Sequence, residues 1–154
     1  MSTKHPTIRW GILACGKIAN TFAKALKEAE GCALHAVAAR DAARAQSFAA
    51  EHGAPRAYGS YEALLAAPEI EVVYVPLPNH LHVEWSLKAL AAGKHVLCEK
   101  PMTMQADEFD QLIAKRDETG LVAAEAFMIV HHPQWQRVRQ IVRDGAIGKL
   151  LHVA

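Results

Sequence analysis

The chain has 154 residues, 51% hydrophobic and 21% charged, and its 17 Lys and Arg nearly cancel 16 Asp and Glu to leave a formal net charge of +1. That length fits one domain with a real core, and the apolar fraction excludes intrinsic disorder. The near-zero charge lacks the electrostatic footprint of a nucleic-acid or anionic-membrane binder, and no apolar run approaches the ~20 residues that span a bilayer. Met1 to Pro6 carries one Lys but no apolar stretch of a secretory signal. Cys15, Cys32 and Cys98 form no C-x-x-C pair and lie in or beside apolar stretches. That is the usage of reduced thiols, so the expected compartment is the cytoplasm.

In chain order, short apolar runs alternate with longer segments of helical period. Thr7–Leu13 reads as a strand, followed by a helix on which Ile18, Phe22, Ala25, Leu26 and Ala29 recur. Ala33–Ala39 is a second strand. Asp41 then stands as N-cap or first-turn acid of a helix reaching Ala50, which Gly53-Ala54-Pro55 breaks. Ser60–Leu65 is a short helix without the Glu of a capping box. Ile70–Val75 is a β-branched strand stopped by Pro76-x-Pro78, and a helix runs from about Asn79 to Ala92, closed by Gly93. His95–Cys98 is the next strand. Thr103 or Gln105 opens a helix to Thr119, Leu121–Ala126 is a strand, Pro133–Arg143 a helix, and Lys149–Ala154 a last strand. Strands alternating with helices at this spacing define βαβ units. The fold class is α/β, a doubly wound, mostly parallel sheet of Rossmann type covered on both faces.

In such a sheet, ligands bind beyond the carboxyl ends of the strands where the strand order reverses. The first strand ends in Gly11-Ile12-Leu13-Ala14-Cys15-Gly16-Lys17-Ile18-Ala19 with a helix following at once. Such a turn presents backbone N–H groups and the positive end of a helix dipole to a pyrophosphate. On the G-x-G-x-x-G/A fingerprint the positions are Ala14, Gly16 and Ala19: Gly16 allows close backbone approach, Ala19 is an allowed small residue, and Ala14 departs from the first glycine. A small-residue turn common to α/β proteins is the other reading. The second strand ends at Ala39-Arg40, where an NAD enzyme usually places an acid for the ribose 2′-OH. A small residue followed by Arg suits a 2′-phosphate, giving room and a planar cation, so NADP is favoured and NAD remains possible. A solvated Arg at a helix start is the alternative.

Two later stretches are more specific: Val75-Pro76-Leu77-Pro78-Asn79-His80-Leu81-His82 with Gly93-Lys94-His95-Val96-Leu97-Cys98-Glu99-Lys100-Pro101, and Glu125-Ala126-Phe127-Met128 with His132-Pro133-Gln134 and Gly145-Ala146-Ile147-Gly148-Lys149. Together with the glycine turn they resemble the Gfo/Idh/MocA oxidoreductases over essentially the whole chain. The likeness is strongest to the dihydrodiol dehydrogenase and NADP-dependent aldose (xylose or glucose) dehydrogenase branch. The resemblance implies hydride transfer between a nicotinamide and a sugar or trans-dihydrodiol hydroxyl. It implies that Ala14, Cys15, Gly16, Lys17, Ile18 and Arg40 bind cofactor, that Pro76, Leu77 and Asn79 line the nicotinamide-ribose side with His82 nearby, and that Glu99 bonds a ribose hydroxyl. Lys100 would lie by the reacting carbon as the catalytic residue, in a turn whose peptide before Pro101 is often cis. An ammonium there can polarise the substrate oxygen and tune proton loss; without the motif around it, a Lys before Pro is an ordinary solvated turn residue.

The resemblance also implies a homodimer, and a domain division with residues 1–126 binding the dinucleotide and 127–154 forming a connecting helix and the first strand of a second α/β domain that lies outside this chain. A stand-alone, non-catalytic NADP-binding module, a sensor or interaction protein, is the alternative from another class. No metal site is expected: His80 and His82 do not share a helix face, and neither H-E-x-x-H nor a Cys/His ligand spacing occurs. His131 and His132 open a helix as capping or packing residues. Trp10, Trp85 and Trp135 have apolar neighbours and irregular spacing, so they read as core or interface side chains.

Overall fold

The computed structural model describes residues 6–152. Six strands, β1 (Ile8–Leu13), β2 (Cys32–Ala38), β3 (Arg56–Tyr58), β4 (Val72–Val75), β5 (His95–Cys98) and β6 (Ala123–Glu125), form one sheet in the order β3-β2-β1-β4-β5-β6. Every pairing is parallel. The helices are α1 (Lys17–Glu28), α2 (Ala42–His52), α3 (Tyr61–Leu65), α4 (His82–Ala91), α5 (Ala106–Thr119) and α6 (Pro133–Arg143). This is the doubly wound α/β fold the sequence leads one to expect.

Alternation along the strands builds two cores. Ile12 of β1 and Tyr74 of β4 join Ala19, Ala23, Val37 and Phe48 beneath α1 and α2. Their chain neighbours Leu13, Val73 and Val75 join Leu64, Trp85, Leu90 and Val96 beneath α3 and α4. Because β4 and the second half of β1 are buried on both faces, they read as continuous apolar runs rather than alternating ones. The entry into β4 is fixed by a buried lysine: Lys94 Nζ donates to the carbonyls of Ala67 (2.7 Å) and Ile70 (2.8 Å), tying the α3–β4 connection to the start of β5.

Several boundaries differ from the sequence reading. β3 is a three-residue edge strand that the breaker after α2 conceals. The helix expected from Asn79 is a 3₁₀ turn over Asn79–Leu81 followed by α4, since Leu81 leaves ideal helix geometry at φ −103 and ψ −7. The helix expected from Thr103 or Gln105 starts at Ala106. Gln105 is its N-cap, with its N–H donating to Glu108 Oε2 at 3.0 Å. Asp41 is the N-cap of α2, its Oδ1 accepting from Ala43 and Arg44. The strand expected over Lys149–Ala154 is corrected for Lys149–His152, which are not in a strand. Among the described residues no strand pairs with them, and an apolar run without a ladder partner does not make a strand. Val153 and Ala154 lie outside the described residues. Of the tryptophans, Trp85 is in the core, whereas Trp135 is exposed.

Gly11, inside β1, lies against the side chains of Leu64 from α3 and of Ile70. A Cβ there would lie 2.8 Å from Leu64 Cδ2 and 3.2 Å from Ile70 Cγ2, both on fully or almost fully buried side chains. Gly11→Ala is expected to destabilise the fold by about 1–2 kcal/mol through overpacking, measured as a lower urea midpoint with unchanged slope. A stability equal to or above the parent's would mean that Leu64 and Ile70 yield freely.

Candidate functional site

The strand order reverses between β1 and β4, so the loops leaving their carboxyl ends diverge and open a cleft. A cavity of about 550 Å³ lies there, lined by Ala14, Cys15 and Gly16 after β1, by Ala39, Arg40, Asp41 and Arg44 at the end of β2, and by Pro76, Leu77 and Pro78 after β4. Tyr61, His80 and Leu81 complete it. Six of the predicted residues (Ala14, Cys15, Gly16, Arg40, Pro76 and Leu77) therefore share one wall system. Ile18 and Glu99 line a second, mostly apolar cavity of about 380 Å³, between α1 and the ends of β4, β5 and β6. Lys17, Asn79 and Lys100 are exposed beside these cavities and line neither.

The glycine turn has the shape of an anion cradle. Ala14 occupies the left-handed region at φ 76, the conformation for which the fingerprint normally supplies glycine. Gly16 is the N-cap of α1 in extended conformation, with no side-chain cap and no acid in the first turn. Among the described residues, no side chain caps the first N–H groups of α1. A Cβ at Gly16 would meet no atom within 4 Å, so packing within the chain does not require glycine here; the space beside it opens to the cavity. A dinucleotide pyrophosphate fits this combination of open backbone and uncapped helix.

At the tip of β2, Ala39 is buried and Arg40 exposed. Asp41, which also lines this cavity, caps the first turn of α2 through its Oδ1. Arg44, which the sequence reading missed, reaches back from α2 and donates from Nη2 to the carbonyl of Cys15 at 3.0 Å. Its signal was available: with Asp41 as N-cap, residue 44 is the third helical position and sits over the strand tip. Burial raises the Cys15 thiol pKa, with Arg44 opposing the shift, and burial raises that of the Tyr61 hydroxyl, with Arg40 opposing.

Two turns flank the far side. His82 is fully buried, its Nδ1 2.7 Å from the carbonyl oxygen of Pro101 and its Nε2 2.7 Å from that of Leu77. It thus ties the turn after β4 to the turn after β5 and presents no free ring nitrogen to a ligand. The Glu99-Lys100-Pro101 turn, whose Lys100–Pro101 peptide is cis, has further restraints. Glu99 N–H donates to the carbonyl of Val75 (3.2 Å), Lys100 N–H to Glu99 Oε2 (3.2 Å), and Met102 N–H to Glu125 Oε1 (2.8 Å). Glu99 Oε1 accepts from the Tyr74 hydroxyl at 2.6 Å. Of the α1 residues whose spacing marks the helix in the sequence, Leu26 is in the core and Phe22 packs against it, while Ile18 is exposed. Ile18, Phe22 and Ala25 border the second cavity, while Ala19, Ala23 and Leu26 are buried. His132 caps α6, its Nδ1 accepting from Gln134 N–H at 3.2 Å.

A cleft at the switch point, a glycine turn at an uncapped helix and guanidinium groups at the second strand define a dinucleotide-binding Rossmann domain. Residues 8–127 match the Gfo/Idh/MocA oxidoreductase family with its NAD-binding Rossmann fold, and the chain belongs to that family. It is 48% identical over 144 residues to an uncharacterised oxidoreductase of Rhizobium meliloti, covering 93% of this chain and 43% of that protein. It is 49% identical over 107 residues to the NADP-dependent D-xylose 1-dehydrogenase 2 of Haloferax volcanii, covering 70% of this chain and 33% of that one. The crystal structure of a 3-ketoreductase from Actinomadura kijaniata in complex with NADP superposes with a TM-score of 0.86 at 40% identity, over 93% of this chain and 46% of that one. The chain spans less than half the length of these relatives.

The left-handed Ala14 generates a direct test. A Cβ in this region costs roughly 1–2 kcal/mol, offset in part by the greater unfolded-state freedom of glycine. Ala14→Gly is expected to raise stability by about 0.5–1 kcal/mol in urea unfolding. A destabilised variant would show that the methyl group contributes packing that outweighs the strain.

Proposed function

We propose that this chain is the cofactor-binding part of an NADP-dependent dehydrogenase acting on a sugar or diol hydroxyl. The observation that carries the reading is the pairing, around one cavity, of an uncapped α1 with two arginines whose nearest acid, Asp41, is engaged in capping α2. Bound there, a nicotinamide dinucleotide supplies the hydride chemistry. The backbone of Ala14, Cys15, Gly16, Lys17 and Ile18 receives the pyrophosphate, with the dipole of α1 behind it. Arg40 and Arg44 take the 2′-phosphate as planar, charged donors. Pro76, Leu77 and Asn79 line the nicotinamide-ribose side, His82 holds their turn against the Glu99-Lys100-Pro101 turn, and Glu99 accepts from a ribose hydroxyl.

Lys100, exposed at the end of that turn, polarises the substrate oxygen and assists its proton loss. Residues 1–126 form the nucleotide-binding unit, and residues from 127 onward begin the connection to a substrate-binding domain. The lengths of the relatives support this division, and so does the exposure of Phe127, Met128, Ile129 and Val130, apolar residues that a second domain would cover. The D-xylose and trans-dihydrodiol dehydrogenases among the relatives support the substrate class.

Titration with NADP and NAD by calorimetry tests the cofactor assignment. NADP is expected to bind more tightly. Arg40→Ala and Arg44→Ala should each weaken NADP about 10- to 150-fold, the loss of one charge-assisted contact worth roughly 1.5–3 kcal/mol, while changing NAD little. Equal affinity of the parent for the two cofactors would overturn the assignment. Gly16→Ala should weaken both cofactors by more than about tenfold while costing under ~1 kcal/mol of stability, the scale of an N-cap exchange. Unchanged binding in that variant would remove the pyrophosphate from the α1 turn.

A further inference from the structure

The Tyr74 hydroxyl has no role in the nucleotide contacts described above, and its partner is not the backbone. Tyr74 lies on β4 between β1 and β5, 1% exposed, in a strand otherwise made of valine. A buried phenol must find a hydrogen-bond partner, and valine or phenylalanine at this register would need none. The partner is Glu99, whose Oε1 accepts from the Tyr74 hydroxyl at 2.6 Å while its Oε2 accepts from Lys100 N–H at 3.2 Å. The Glu99 carboxylate, only 9% exposed, is thereby pinned at both oxygens and still borders the cavity between α1 and the ends of β4 to β6. The Tyr74 ring is itself braced. Phe22 of α1 stacks on it at a centroid distance of 3.9 Å and an interplanar angle of 19°, and Trp10 of β1 packs against Phe22 at 5.4 Å. Burial and the neighbouring carboxylate raise the phenol pKa, so the hydroxyl remains the donor throughout the working pH range.

We infer that Tyr74 is a positioning residue for the cofactor: acting through Glu99, it sets the carboxylate that receives the nicotinamide ribose, and Phe22 holds it there from the helix that receives the pyrophosphate. This rests on the assignment of Glu99 to a ribose hydroxyl. A preset carboxylate spares binding the loss of rotamer freedom that a mobile glutamate would suffer. The Tyr74–Phe22 contact also makes the geometry of the ribose carboxylate depend on the seat of α1. Because the nicotinamide ribose is common to NADP and NAD, the effect is blind to the 2′-phosphate, which sets it apart from that of Arg40 and Arg44.

The test is a double-mutant cycle on cofactor binding, with NADP and NAD titrated separately by calorimetry and urea unfolding recorded for each variant. Tyr74→Phe keeps the ring and its stack and removes only the hydroxyl. It should weaken NADP and NAD alike, about three- to tenfold, leaving their ratio unchanged. In a Glu99→Ala background the same substitution should change affinity less than twofold, because the group it acts through is gone. Phe22→Leu, with the hydroxyl intact, should weaken both cofactors about two- to threefold, again only while Glu99 is present. Full additivity of Tyr74→Phe and Glu99→Ala, or an unchanged affinity in Tyr74→Phe, would overturn the inference. If Glu99→Ala alone leaves both affinities unchanged, the assignment of Glu99 to the ribose fails, and the inference with it. The Arg40 and Arg44 variants would still test the rest of the site. If the parent binds neither cofactor, the functional reading itself fails.

Discussion

Everything at the site depends on the pairing of β1 with β2 on one side and β4 on the other. A parallel strand needs a crossover helix on one face, and a right-handed crossover in each direction sends the loops of the two halves apart. The cleft is what remains between them. It receives the ends of three strands: Ala14 to Gly16 from β1, Ala39 to Arg44 from β2, and Pro76 to Pro78 from β4. Gly11, a few residues before the turn, lets α3 pack close enough to fix the same strand from below. The core and the site are one problem in this chain, since the residue that admits Leu64 to the core lies three positions from the left-handed Ala14.

The far end of the site is held by side chains reaching backbone groups rather than by the sheet. His82 faces the Leu77 and Pro101 carbonyls with its two ring nitrogens, and Glu125 receives the Met102 N–H. Loops are ordinarily the mobile part of an α/β domain, yet a site that orients a reacting ring needs its walls fixed to a fraction of an ångström. These buried bonds reconcile the two demands by crosslinking consecutive loops at their bases while their tips, Asn79 and Lys100, stay exposed. They also hold together two motifs that are separate in sequence, the Pro76–His82 stretch and the Glu99-Lys100-Pro101 turn.

The sheet was legible in the sequence wherever a strand was long or rich in branched apolar residues, as in β1, β2, β4 and β5. It was not legible at Arg56–Tyr58, where three residues become a strand only by pairing with β2. Lys149–His152 has the apolar pattern of a strand and, among the described residues, no strand paired with it, the converse failure. The glycine turn was visible because a small-residue run leads straight from an apolar strand into a helix, and the strand tip at Arg40 because the strand ends there. His82 looked like a residue beside the cofactor, but its partners Leu77 and Pro101 come together only in three dimensions, so its engagement with two carbonyls carried no sequence signal. Arg44 could have been found, because the cap at Asp41 fixes where the first turn of α2 points. The stripe of Ile18, Phe22, Ala25, Leu26 and Ala29 marked the α1 helix but not which of its residues would be fully buried. α1 is apolar on two faces, and periodicity alone does not tell the face against the sheet from the one that borders a cavity.

The two ends of the site are chemically opposite, and the fold produces that opposition by the way it deploys carboxylates. At the β2 tip the acid is engaged: Asp41 lines the cavity but caps α2 through its Oδ1, beside the guanidinium groups of Arg40 and Arg44. At the β5 end an acid is presented: Glu99 is held between Tyr74 and the Lys100 N–H beside the second cavity. A phosphate favours the first environment and a hydroxyl donor the second. A dinucleotide with a phosphorylated ribose at one end and a free ribose at the other matches this polarity in only one direction along the cleft. Under the proposed function, orientation is specified twice, by charge at Arg40 and Arg44 and by hydrogen-bond direction at Glu99, with the helix dipole of α1 neutral between the two choices because the pyrophosphate is nearly symmetric.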